Sequence, residues 1–509
     1  MALSTAIDID VVSRIVGYQL TKGDFSTVSP NLPQRISLLG EANTANQGAT
    51  ITDPLENPTL QDVGVKYGYG SPIYNMYRIL KPLQGGGVGS VPVVVYAQDA
   101  AGGSVASVLQ ITPTGTATGN ATHTLVINGR RSVDGGRYDV SVVTGDTPTT
   151  ITAKIIDVIN AVLAAPVIAS DATAKVDCTA KWTGLTSEGI SIEVDTNDAA
   201  VGMTYGVAST ASGAGTPSVS SSLALFQNEW NTFVVNPYTL ASTFVELEDF
   251  NGVPDQTNPT GRYDGKVFKP FIAIYGDLTE DPSVLTDAVA RKSQVTNSCA
   301  PAPNSPGLEM EAAANMVVEA ATVANNTPHL DVNAHFYGDM PVPSDSDIGA
   351  MSTPSQRDIL VKKGSSTVDF VSGKYQIQDL VTTYHPDGET PPAYRYVRNL
   401  NNIDYNIRYS YFLLEQIHVV DHAIANDDDV VSASNVIKPK QWKAIVDDLA
   451  TRLGKRVLIA DVPFMQASIQ TQLNGTNPDR LDTVFSYKRS GNVRIASTTV
   501  TAGFNFGEA

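Results

Sequence analysis

The sequence predicts an α/β (α+β) multidomain protein. A mixed-sheet core is formed by the N- and C-terminal parts of the chain, with an inserted β-rich domain and extended terminal arms. Three observations predict this. Apolar strand-like runs interleave with helix patterns before residue 95 and again after residue 223, the signature of helices covering a sheet. The stretch between has a different texture, with short alternating runs bounded by "QGGGVGS" and "SGAGTPSVSSS". Both extremes of the chain are polar and patterned like strands. The expected division is an N-terminal arm over 1–25, a first core segment over 26–95 and the inserted domain over 96–222. A second core segment over 223–390, a C-terminal domain over 391–488 and a C-terminal arm over 489–509 complete it.

The elements follow in order. "AIDIDVV" alternates at Ile7, Ile9 and Val11, with Asp8 and Asp10 opposite, and reads as a strand. "RISLLGEAN" reads as a buried strand stopping at Gly40. Ser71-Pro72 in "YGYGSPIYNMYRIL" reads as a helix start. In the inserted region Thr147-Pro148 caps a helix striped by Ile151, Ile155, Val158, Ile159 and Val162. "TFVVNPY" and "KPFIAIYGD" read as strands, and "SPGLEMEAAANMVVEAATVA" and "IDYNIRYSYFLLEQIHVVDHAIA" as helices. "KPKQWKAIVDDLATRLGKR" is a helix with Trp442, Ile445, Val446, Leu449 and Leu453 on one face and Gly454 at its C-cap position; the strand "VLIAD" follows. The last strand expected runs from Val493 to Phe506 through Ile495, Thr499 and Phe504.

With 509 residues the chain can bury more than one core. Only 17% of residues are charged, against ~25% in a typical domain. The net charge of −18 argues against general binding to nucleic acid or to anionic membranes. No apolar run approaches the ~18 residues of a membrane span, and "MALSTAIDID" lacks a basic, then apolar, leader pattern. Cys178 and Cys299 have no CxxC partner, so reduced thiols are expected, with neither a disulfide framework nor a zinc site.

Chemistry is weakly signalled. "HVVDH" puts His418 and His422 four apart, as metal ligands on a helix would be. Val419 stands where the zincin motif needs Glu, and Asp421 where the inverted motif needs Glu. Asp427, Asp428 and Asp429 lack the spacing and Gly of a calcium loop. "QGGGVGS" lacks the Lys-Ser/Thr of a phosphate loop and leads to a strand instead of a helix. No nucleophile constellation is found, so no catalytic residue, metal site or cofactor is expected.

Charge placement is the stronger signal. From Lys438 to Arg494 there are ten basic and five acidic residues, a net +5 that leaves −23 on the rest. A basic end on an acidic body favours head-to-tail assembly.

"VIKPKQWKAIVDDLATRLGKR", then "NPDRLDTVF", then a last strand, resembles the C-terminal domain of contractile tail sheath proteins of Mu-like phages. "VKYGYGSPIYNMYRIL" resembles an early segment of the same proteins, "LVINGRR" and "GISIEV" lie in what resembles their variable middle domain, and "QNEWNTFVVNPYT" resembles the return to the core. "KPK" departs slightly from the family's helix start. The resemblance implies a structural, non-enzymatic subunit that forms stacked hexameric rings, a helical sheath around a tail tube. It implies terminal arms that add strands to neighbouring subunits, and a C-terminal domain nearest the tube. On that basis Lys438, Lys440, Lys443 and Arg452 are expected to face the tail tube protein. Baseplate and tail terminator proteins are the other expected partners, with no direct nucleic acid or membrane insertion. The expected location is the virion, after assembly in the host cytoplasm. Alternatives are a bacteriocin or secretion-system sheath, a β-rich virion decoration or adhesin protein, and a metalloprotease.

Overall fold

The structure is a computed structural model that describes residues 30–48, 52–131, 135–255, 257–343, 349–389 and 392–504. The strand expected at Ile7–Val11, and Phe506, lie outside these residues. The chain divides into two compact units, one of residues 31–409 with the segment from 489 onward, the other of residues 410–488.

The first unit is built on β1 (Ile36–Glu41), all six residues of which are buried. Its run of apolar residues without alternation is what a strand covered on both faces requires. After β2 (Leu55–Glu56) come α1 (Leu60–Tyr67) and α2 (Pro72–Leu80). Thr59 and Asp62 cap α1 reciprocally, which the sequence reading did not single out; Ser71 caps α2 with Pro72 in the first turn, as expected. Helix α2 lies so close to β1 that a Cβ on Gly40 would meet Met76 Cε at 2.9 Å. β3 (Val93–Gln98) then pairs parallel to β1, with Ile36 opposite Val93.

The chain next leaves the core sheet. β4 (Val108–Gly115), β5 (Ala121–Ile127), β6 (Arg137–Val142), β7 (Val167–Asp171), β8 (Val176–Ala180), β9 (Ile192–Asp195) and β10 (Met203–Ala211) form two sheets, ordered β10-β4-β8-β7 and β6-β5-β9. Helix α3 (Pro148–Asn160), capped by Thr147, buries Ile151, Ile155 and Ile159; Val158 and Val162 are only partly covered. The excursion begins after Gln98, because Tyr96, Ala97 and Gln98 still pair with β1. It is over by Val219, which packs with Leu223 and Phe226 on the core residues Leu39, Val94 and Val234; α4 spans Ser220–Ala224. Arg130 ties the excursion to the core. It is buried, and its Nε donates to Glu311 Oε1 at 3.0 Å and its Nη1 to Asp339 Oδ1 at 2.8 Å. Arg78 of α2 donates to the same Glu311 oxygen at 3.1 Å.

The core resumes with β11 (Phe233–Val235), α5 (Ala241–Asn251), β12 (Ile272–Asp277), α6 (Ser283–Thr286), β13 (Asn297–Pro301) and α7 (Glu309–Asn326). β11 pairs parallel to the other edge of β1, completing the order β13-β12-β11-β1-β3-β2. Only β2 runs antiparallel to its neighbour, so the sheet is mixed. On α7, Met310, Ala313, Ala314, Val317 and Ala321 are buried. Gly276 of β12 permits the close approach of α7, since a Cβ there would lie 1.8 Å from the Glu309 carbonyl oxygen. Helix α8 (Pro354–Lys362) and the hairpin β14 (Thr367–Val371) with β15 (Lys374–Asp379) follow.

The strand order reverses between β1 and β11. Glu41 ends β1 there, fully buried, and Thr186 of the inserted region donates to its Oε1 at 3.3 Å. Burial pushes its carboxyl up to about 7. Glu309 at the start of α7 is also pushed up to about 7, by burial and by Asp277. Both carboxyls therefore favour the fold while protonated. Their contribution is complete below the ordinary glutamate value of ~4.3 and is lost as pH rises through about 7. Urea unfolding midpoints should fall between pH 5 and pH 8 in the wild type and fall less in Glu41→Gln. An equally steep fall in the variant would show that Glu41 is not a cause.

Candidate functional site

The second unit is organised by α10 (Pro439–Lys455). Pro439 stands in its first turn, where a missing N–H leaves no intrahelical bond unmade. Gln441 Oε1 accepts from Lys438 N at 3.2 Å. The acidic run at Asp427–Asp429 contributes to the same helix end. Asp427 Oδ1 accepts from Lys440 N at 2.8 Å, a carboxylate at a helix N-terminus. No local spacing announces that cap, because thirteen residues separate the partners. The short parallel pair β16 (Ala423–Ile424) and β17 (Val436–Ile437) closes the loop between them.

Trp442, Val446, Leu449 and Leu453 are buried as predicted. Ile445 is only half-buried, and Ala450 takes its place in the stripe. Gly454 is not the C-cap. The helix continues to Lys455, and a Cβ on Gly454 would lie 2.3 Å from Val462 Cγ2. Glycine is there for the close approach of α11 (Val462–Ser468). The strand expected at "VLIAD" shrinks to β18 (Ile459–Ala460). Val457 (φ 56°) and Asp461 (φ 58°) bracket it in left-handed conformation and interrupt extended pairing.

The "NPDRLD" motif makes a hairpin. β19 (Gln470–Leu473) pairs antiparallel with β20 (Leu481–Val484). Asn474 Oδ1 accepts from Thr476 N and Asn477 N, each at 3.0 Å, and so folds the turn. Trp442 Nε1 donates to Thr483 Oγ1 at 3.1 Å, and Thr471 Oγ1 to the Pro439 carbonyl at 2.8 Å, pinning the hairpin to α10. Among the described residues the hairpin has no third strand.

The four basic residues singled out from sequence all lie on or beside α10. Lys438 Nζ donates to the carbonyls of Asp427 and Asp429. Lys443 lies 3.4 Å from Asp447, and Arg452 Nε donates to Asp448 at 2.7 Å. Lys440 is the most exposed of them, with Nζ 4.0 Å from a fully exposed Asp428.

His418 and His422 do not share a helix face. α9 (Tyr405–His418) ends at the first histidine, Asp421 turns left-handed (φ 61°), and His422 Nδ1 bonds the Val420 carbonyl at 2.9 Å. Among the described residues no group of His, Cys, Asp and Glu could hold a metal ion, and no helix is long and apolar enough to cross a membrane.

The C-terminal segment belongs to the first unit. Arg489 binds Asp404 through Nε and Nη2 at 2.8 and 2.6 Å. Arg494 binds Asp331 and Asp379 and lies 3.6 Å over the Tyr396 ring. From residue 490 to 504 there is neither helix nor strand. Val493, Ile495 and Val500 are at least 80% exposed, Thr499 and Phe504 are exposed too, and so they contribute little to this chain's own core.

No family model matches the chain. A curated relative, the Mu-like prophage FluMu tail sheath protein of Haemophilus influenzae, is 23% identical over 389 residues, 75% of this chain and 76% of its own. Two solved structures also align. One is the sheath tail protein from Desulfitobacterium hafniense, with 12% identity, 93% of this chain and 99% of that chain covered, and a TM-score of 0.42. The other is the helical sheath of the anti-feeding prophage in its contracted state, with 10% identity, 97% and 100% covered, and a TM-score of 0.43.

Trp442→Ala should destabilise the second unit by about 3–5 kcal/mol, the usual cost of emptying a buried tryptophan site. Thr483→Ala should cost about 1 kcal/mol for the lost hydrogen bond. Hydrogen exchange of the hairpin amides measures both; equal, negligible effects would mean that α10 does not hold the hairpin. The similarity to a Mu-like tail sheath protein extends over three-quarters of the chain, in agreement with the class that the "KPKQW" helix and the "NPDRLD" turn resemble.

Proposed function

We propose that this chain is the structural subunit of a contractile tail sheath. It polymerises as stacked hexameric rings around a tail tube, and its contraction drives the tube through the host envelope. The observation that carries this reading is the similarity to a tail sheath protein along 389 residues. Two features support it: the hairpin β19 and β20 has no third strand among the described residues, and residues 495–504 are exposed and form neither helix nor strand. In the assembled sheath, residues Val493, Ile495, Thr499, Phe504 and Phe506 add a strand to a neighbouring copy, and the pattern at Ile7, Ile9 and Val11 adds another. Strand addition of this kind draws its affinity from main-chain hydrogen bonds. The role is mechanical and not enzymatic, and contraction draws on free energy stored when the lattice is built. The subunit belongs to the virion tail, assembled in the host cytoplasm, between baseplate and terminator proteins; a bacteriocin or secretion sheath would use it in the same way.

Deleting Ala496–Ala509 leaves Arg494 and its partners in place. The truncated protein should be folded and soluble and should form no cylinders by electron microscopy. Normal cylinders from it would refute the arm assignment.

Lys438, Lys440, Lys443 and Arg452 are proposed to face the tube, with Lys440 as the side chain most open to a partner. Exposed pairs contribute only ~0–1 kcal/mol each, which suits a surface that must release. Lys440→Glu should lower the fraction of sheath assembled on tubes without reducing sheath self-assembly. Raising salt to ~1 M, where the Debye length is ~3 Å, should act in the same direction. Unchanged assembly on tubes would remove Lys440 from that interface.

A further inference from the structure

The turn before α9 has an unusual build. Arg398–Asp404 is a π-helical turn, a form concentrated at functional sites. Its polar side chains are buried: Arg398, Asn401 and Asn402, with Asn406 just beyond. They reach two places remote in sequence. On one side, Arg398 Nη1 donates to the Ser490 carbonyl at 2.9 Å and Nη2 to Ser490 Oγ at 3.0 Å. Arg398 Nε and Nη2 also donate to the His329 carbonyl, at 3.1 and 2.7 Å. On the other side, Asn401 Nδ2 donates to Gln34 Oε1 at 3.2 Å, and Leu32 N donates to Asn406 Oδ1 at 2.7 Å. Gln34 Nε2 closes back on the Leu32 carbonyl at 2.9 Å. Asn406 Nδ2 binds the Asn402 carbonyl at 3.0 Å, so the two sides share one turn of backbone. Leu32 and Gln34 lead directly into β1, the centre of the sheet.

We propose that this turn is a mechanical clamp. It grips the chain at Leu32–Gln34 and at Arg489–Ser490, and it passes tension on the segment beyond Arg494 into the six-stranded sheet. The clamp's load rests on the reading above, in which a neighbouring copy pulls that segment. A pull there meets the Arg494 pairs first, then the Arg398 fork and the Arg489 pair with Asp404. The fork holds Ser490 and the His329 carbonyl at once, so its bonds share the load. Lysine cannot reproduce this, because a single ammonium lacks the planar set of donors.

The tests are limited proteolysis with a nonspecific protease and hydrogen exchange of the unassembled full chain, compared with Arg398→Lys. Cleavage at 489–494 should quicken by about tenfold or more, a loss of charge-assisted hydrogen bonds. Exchange should quicken measurably at 31–36 as well, where Leu32 N–H is bonded to Asn406, while β4–β10 keep wild-type protection. Loss at 489–494 alone would overturn the clamp. If Arg398→Lys loses protection everywhere, Ser490→Ala removes only one acceptor; the same two segments should then quicken, by about threefold, and an effect confined to 489–494 again overturns the proposal. These measurements need no cylinders, so a wild type that never forms cylinders would sink the sheath reading and leave only the coupling of the two segments standing. Where cylinders form, those of Arg398→Lys should break into shorter pieces on contraction. Wild-type lengths after contraction would deny the clamp its load.

Discussion

β1 is hydrogen-bonded along both edges to strands that come from separate regions of the chain, β3 before the inserted region and β11 after it. Much of the first unit follows from that pairing. A strand with neighbours on both edges and helices on its faces must be apolar throughout, and Gly40 must stay bare to admit α2. Because β3 and β11 flank β1, the chain between them must leave and return, and the inserted region occupies that excursion. The same pairing sets the order reversal at β1 and β11, where ligand crevices usually form in α/β sheets. Here Glu41 occupies that edge, with Thr186 of the inserted region hydrogen-bonded to it.

The inserted region is attached through polar groups that satisfy one another together. Arg78 and Arg130 converge on one oxygen of Glu311, and Asp339 takes a second bond from Arg130. Two guanidiniums beside one buried carboxylate repel each other, and the carboxylates offset this. Such a network is costly to break by removing one member, because the rest stay buried and uncompensated. The flexible composition at either end of the region therefore does not make it a loose appendage: the "QGGGVGS" glycines lie in turns before β3, while Arg130 is held inside the core.

What the sequence made legible was periodic or capped. The Ser71-Pro72 and Thr147-Pro148 starts, the apolar run of β1 and the stripe at Trp442, Val446, Leu449 and Leu453 all encode local geometry. What it hid depends on residues far apart. Gly454 looked like a helix end, but its role is set by Val462. The acidic run offered only the absence of a calcium-loop pattern, but Asp427 caps a helix thirteen residues on. "HVVDH" looked helical throughout, but the left-handed Asp421 ends the register that would align the histidines. The π-helical turn gave no sequence signal, because Asn401 and the neighbouring Asn406 are explained only by Gln34 and Leu32, and Arg398 only by His329 and Ser490.

The +5 stretch shows how folding changes a charge argument. Within the second unit Lys443, Arg452, Arg480 and Lys488 are matched to Asp447, Asp448, Asp482 and Asp461, which uses four of the five acids in that stretch. Arg489 and Arg494 are matched to Asp404, Asp331 and Asp379. Much of the charge that sequence offers to a partner is thus answered within the chain, which leaves backbone pairing as the better basis for a contact that must hold. The segment after Arg494 is suited to it. Ile495, Thr498, Thr499, Val500 and Thr501 are β-branched and favour extended backbone. The threonines also keep it polar. A uniformly apolar strand in that place would recruit any open edge; a polar one gains most where a complementary edge is already presented in register.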